Sequence, residues 1–197
     1  MSRKVNRVKY HLDTKGIKDL PYEEIVKILR AADDLIARGG RSLLSKLLKG
    51  SKEKQIIEFG LDKNPSYGYY KTLPLEEVLA RIDWTIINEY LSLEYDYRLP
   101  LLVFTIKGWE IEKDTYSTEM LESFDRIIAG GVTNFDMNYL KDKDRGLVFM
   151  LLDKVEETGD KKYIPILEAW KKIDYKKVNQ KITAVINSIQ QYTKHQQ

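Results

Sequence analysis

Apolar positions recur at helical spacing over residues 22–37, where Ile25, Ile28, Leu29, Ala32, Leu35 and Ile36 line one face of YEEIVKILRAADDLIA. Pro21 and the early acids Glu23 and Glu24 suit the start of that helix, and Gly39 and Gly40 its end. A shorter helix follows over 42–49, with Ser42 as its expected N-cap and Leu43, Leu44, Leu47 and Leu48 as its apolar face. Residues 52–59 predict a further helical turn with Ile56, Ile57 and Phe59 facing inward. Asn64, Pro65, Gly68 and Pro74 then mark a loop. A third helix over 75–91 carries a broad stripe through Val78, Leu79, Ile82, Ile86 and Leu91. Beyond it the period falls to two. Strands are expected at 92–96 and 101–106 around a tip near Asp96–Pro100.

Three helices and a hairpin, in that order, are the winged helix-turn-helix arrangement. From residue 118 onward the pattern is helical, with helices expected near 118–129, 133–140, 144–158, 161–173 and 175–192. Residues 112–118 read as a linker. The stretch from Gly146 to Asp174 reads as an αα-hairpin similar to one HEAT-type repeat, with a small bundle as the alternative. The expected class is therefore α+β: a basic arm over 1–20, a winged helix over 21–113 and an all-α domain over 114–197.

Composition narrows the chemistry. The chain has 197 residues, of which 43% are hydrophobic and 32% charged, as expected of a folded protein. It has no cysteine, and its two histidines, His11 and His195, lie near opposite ends. A thiolate nucleophile, a disulfide framework and a His-rich metal site are excluded within one chain. No cofactor is implied. The N-terminus lacks the apolar core of a secretory signal, and no run is long enough to span a membrane, so a cytoplasmic location is the default expectation. Adjacent acids such as Asp33–Asp34 do not face one another on a helix, and no serine has a histidine nearby, so no catalytic constellation is expected.

The net charge of +3 is small, but it is unevenly distributed. Residues 38–54, RGGRSLLSKLLKGSKEK, carry six basic groups against one acid. Arg41, Ser42, Lys46, Lys49, Ser51, Lys52 and Lys54 there, with Lys71 and Arg81 further on, are candidate contacts to a phosphate backbone. The third helix carries Glu76, Glu77, Asp83 and Glu89 against Arg81, which disfavours its entry into a major groove.

Several landmarks stand in order along the same stretch. They are Gly40–Arg41, the Leu47-x-x-Gly50–Ser51 element, Gly60, Tyr67–Gly68, a helix ending in Tyr90–Leu91, and the Thr105-x-Lys107–Gly108 close. Together they resemble the RQC domain, the winged-helix module near the C-terminus of RecQ-family helicases. The resemblance covers roughly 22–111. It lacks the helicase motor, since no G-x-x-x-x-G-K-[ST] loop occurs, and it lacks the four-cysteine zinc element of many family members. It implies a stand-alone relative whose second-helix region grips DNA phosphates. It also implies that an aromatic at the wing tip, Tyr95 or Tyr97 beside Arg98, stacks on a terminal base pair. The expected function is thus non-enzymatic binding of double-stranded or forked DNA, with a helicase or DNA-repair protein as partner and no membrane association. A transcription regulator reading an operator, or a winged helix that binds protein, are the alternative readings.

Overall fold

The computed structural model describes residues 6–131 and 134–194, with side chains as far as 191. The chain divides into two compact units, Met1–Glu112 and Lys113–Gln197.

In the first unit the amphipathic segments become α1 (Tyr22–Asp33), α2 (Arg41–Lys49), the short α3 (Lys54–Glu58) and α4 (Leu75–Ile87). Strands β1 (Leu91–Asp96) and β2 (Leu99–Phe104) pair antiparallel, in register from Leu91 opposite Phe104 to Asp96 opposite Leu99. The pleat turns Leu91, Leu93, Leu102 and Phe104 toward the helices. Ile28 and Leu29 of α1, Leu44, Leu47 and Leu48 of α2, and Val78 and Ile82 of α4 complete that core, all fully buried. Leu102 also accepts from the Ala37 amide and donates to the Gly39 carbonyl, both at 2.9 Å, so the α1–α2 connection lies along the free edge of β2.

Local details depart from the periodic reading. Ser42 does not cap α2. Gly40 holds the cap position, no side chain caps the helix, and Ser42 lies inside its first turn. Ile57 and Phe59 do not face inward: α3 is a single turn that buries Ile56 alone and leaves both half-exposed or more. The third helix ends at Ile87, because Glu89 takes a φ of +61° and turns the chain into β1. Pro100 stands within β2, opposite Tyr95, and only Tyr97 and Arg98 form the tip.

The expected linker at 112–118 is helical. It belongs to α5, which runs unbroken over Ile106–Ala129. The polar residues that suggested a loop satisfy themselves inside the helix, since Ser117 and Thr118 return their hydroxyls to the Asp114 carbonyl at 2.9 and 2.8 Å. In the second unit α6 (Arg145–Thr158) is capped by the Asp144 carboxylate on the Leu147 amide. A 3-10 turn at Lys161–Tyr163 leads into α7 (Ile164–Lys171), and α8 covers Lys176–Lys194. The αα-hairpin expected over 146–174 is not the main pairing, because α8 is the helix that packs on both α6 and α7. Phe124 and Trp170 meet edge to face, 6.2 Å apart, within this second core. The helix expected over 133–140 starts outside the described residues, and from Asn134 on it is reduced to a 3-10 turn at Asn138–Leu140. His195 also lies outside them.

Candidate nucleic-acid interface

The landmarks shared with the RQC pattern are scaffolding. Gly50 ends α2 with a φ of +75°, which a side chain resists. A Cβ on it would stand 3.0 Å from the Cα of Gly68. The Leu47 carbonyl accepts from the amides of both glycines, Tyr67 donates its hydroxyl to the Ser51 carbonyl at 3.0 Å, and the Tyr70 amide reaches the Leu48 carbonyl at 2.8 Å. The α2 end is thereby stitched to the loop before α4. At the other end of the unit the Thr105 hydroxyl donates to the Glu89 carbonyl at 2.6 Å and accepts from the Gly108 amide. Lys107 lies over the Tyr90 ring at 3.6 Å and donates to the Asn88 carbonyl.

The stitching decides which basic groups are available. Lys49 is turned inward, with its ammonium donating to the carbonyls of Lys71 and Leu73. Arg41 pairs with Asp83 of α4 at 2.9 Å and donates to the His11 carbonyl at 2.7 Å. Burial pushes the Asp83 carboxyl above its ordinary range, against the pull of the Asp13 amide and of Arg41. Arg81 lies between Glu24 and Glu77, and Tyr70 donates to Glu24 at 2.5 Å. Burial first, and that hydrogen bond second, lift the Tyr70 phenol well above its usual value. Lys46 pairs with Glu53 at 2.7 Å. Ser42 is exposed on α2, and Ser51 receives the Glu53 amide on its hydroxyl. Of the candidate phosphate contacts read from the sequence, the cations that remain turned to solvent are Lys52 and Lys71, with Lys54 held only by a loose, fully surface pair to Glu58. Lys52 and Lys71 flank the junction formed by Gly50, Ser51, Tyr67 and Gly68.

The wing separates two residues that strand alternation would place together. Tyr95 is half-buried and donates to the Val8 carbonyl at 2.7 Å, with Tyr10 beside its ring and Arg7 over it at 4.9 Å. Tyr97 occupies the first position of the tip with a φ of +50° and is 70% exposed. The turn, not the strand, aims its ring. Arg98 donates to the Asn6 carbonyl and its own carbonyl accepts from Val8. The N-terminal arm is therefore seated along the wing as far as Tyr10 and then against α2 and α4, where the His11 carbonyl accepts from Arg41 and the Asp13 amide donates to Asp83 at 2.8 Å. Residues 6–13 carry no hydrophobic period, so sequence reasoning could not place them. The acids of α4 are partly compensated, Glu76 by Lys15 and Glu77 by Arg81, yet no basic side chain projects from its first turn.

Among the described residues no cluster of carboxylates and histidines could hold a metal ion, and no helix is long and apolar enough to cross a membrane. The family model of the RQC domain matches residues 20–125. ATP-dependent DNA helicase RecQ of Bacillus subtilis strain 168 is 25% identical over 124 residues, which is 63% of this chain and 20% of the relative. The chain thus spans about a fifth of that protein's length. No solved structure matches it.

Proposed function

The chain belongs to the RQC domain family, the winged-helix, DNA-binding type of domain found in RecQ helicases, and from that premise we propose that it binds the backbone of duplex or branched DNA and meets the end of the duplex with its wing. Tyr97 carries the reading. A non-glycine residue with left-handed backbone costs about 1 kcal/mol relative to an extended one. A bulky aromatic at that position, with its ring turned to solvent, is local strain in a place that structure alone does not require. A ring so presented can stack on a terminal base pair, a contact worth roughly 1–3 kcal/mol.

The duplex itself is held by Lys52, Lys54 and Lys71 around the α2–loop junction, with Ser42 in the first turn of α2, Ser51 at its end and Arg98 at the wing tip as further polar contacts. Lys46, Lys49, Arg41 and Arg81 support this surface from within their ion pairs and carbonyl contacts. The acidic first turn of α4 is the reason for assigning backbone contact over base readout. The reading includes no catalytic step; strand separation beside this surface is the work of a helicase motor, whose phosphate-binding loop does not occur in this sequence.

Fluorescence anisotropy with a labelled blunt duplex over a salt series tests this. Binding at low salt should weaken with a log–log slope that falls by about 0.9 for each of Lys52, Lys54 and Lys71 replaced by alanine. Absence of binding at low salt overturns the reading.

A further inference from the structure

Between the N-terminal arm, the start of β2 and the first turn of α2 runs an open groove of about 520 Å³. Leu99, two residues from Tyr97, and Gly40–Leu43 are among its lining. Its charge is one-sided. Lys9, His11, Arg38 and Arg41 line it, and no Asp or Glu among the described residues does. The charge of Arg41 is answered by Asp83 from outside the lining. Lys9 and Arg38 are exposed, and no ion pair or side-chain hydrogen bond within the described residues engages either one. Beside these cations the groove presents apolar surface: Val8 is 46%, Tyr10 42% and Leu99 58% exposed.

The combination selects among anionic polymers. A duplex exposes phosphates, sugars and the edges of its bases but keeps the base faces stacked inside, so it offers no face to this apolar surface. An unpaired strand offers phosphates to the cations and base faces to Tyr10 and Leu99 at once. We propose that this groove carries a single strand that leaves the duplex at the wing tip, so that the arm and β2 form the two banks of its path. The proposal rests on the DNA-binding reading of the wing, and it assigns the arm a role separate from the duplex surface at Lys52 and Lys71.

Three labelled probes test it with the full chain: a blunt duplex, the same duplex with a single-stranded arm on either end polarity, and the isolated strand. The armed duplex should bind roughly tenfold tighter than the blunt one at the same salt. The double variant Lys9→Ala, Arg38→Ala should erase that gain, lower the salt slope on the armed probe by about 1.4, and leave the blunt duplex unchanged. Equal binding of armed and blunt probes, or an equal loss on both in the double variant, would overturn the groove while leaving duplex binding intact. Failure of all three probes to bind would remove both readings together.

Discussion

Arg41 on α2 and Asp83 on α4 stand 2.9 Å apart, with the carboxylate almost wholly sheltered and the guanidinium mostly so. This pair ties α2 to α4, which pack on one another, and the Asp13 amide completes the carboxylate's contacts. Removing one partner leaves a charge in a dry place.

Arg41→Ala should therefore lower unfolding stability by about 3 kcal/mol near neutral pH. Burial raises the Asp83 carboxyl in the folded state. A raised acid contributes stability that is fully present below its ordinary value and is lost as pH rises through the folded value. Without Arg41 that upward displacement grows, so the deficit should shrink as pH falls toward about 4. Urea unfolding of both proteins at several pH values checks this; a deficit independent of pH would show that the pair acts through packing alone.

Gly108 lies so close to the wing's entry that a Cβ on it would sit 1.9 Å from the Tyr90 carbonyl oxygen. The obstacle is backbone and cannot rotate away. Gly108→Ala should cost at least about 3 kcal/mol, at the upper end of overpacking effects. Thermal unfolding within a few degrees of wild type would mean that the start of α5 shifts freely from β1.

Tyr97→Gly should separate stability from function. Glycine adopts the left-handed tip conformation without the steric penalty. The variant should be as stable as wild type or gain up to about 1 kcal/mol, while losing the stacking contribution of about 1–3 kcal/mol to DNA bearing a duplex end. Parallel urea and anisotropy measurements decide it. A variant that loses stability would show that the Tyr97 ring packs on the hairpin.

The second unit offers a titration. Tyr163 donates to the Asp125 carboxylate at 2.6 Å and Lys162 pairs with it at 3.1 Å. The Tyr163 hydrogen bond is the main reason the Asp125 carboxyl titrates below its ordinary range, while burial, then the carboxylate, pushes the Tyr163 phenol up to about 12. A depressed acid contributes stability that is present above its ordinary value and is lost as pH falls through the folded one. Carboxyl NMR should show Asp125 moving back toward the usual range in Tyr163→Phe, with Asp136, lowered by its own contacts to Asn138, unaffected.

The helices of the first unit were legible because each buries one stripe: Leu44, Leu47 and Leu48 could face nowhere but the core. The glycine landmarks were legible as positions, and the structure supplies their reason, which is close backbone approach at Gly50 and Gly108. The site was less legible. Six basic groups in seventeen residues read as a phosphate surface, but a lysine on a solvated face and one donating to buried carbonyls look alike in sequence. Lys49 and Arg41 became internal only when the loop before α4 and α4 itself packed onto α2.

Local periodicity thus determined which elements form and which face of each is buried, because both depend on neighbours within a turn or two. The partners that fix the polar groups of the site were decided by tertiary structure where they join residues dozens of positions apart: Arg41 with Asp83, Arg81 with Glu24, Tyr95 with Val8. The wing shows both levels in three residues. Alternation correctly made a strand through Tyr95, but the two-residue turn rotated Tyr97 out of that alternation, and the docked arm claimed Tyr95. Only that rotation left one tyrosine of the pair free to meet a ligand.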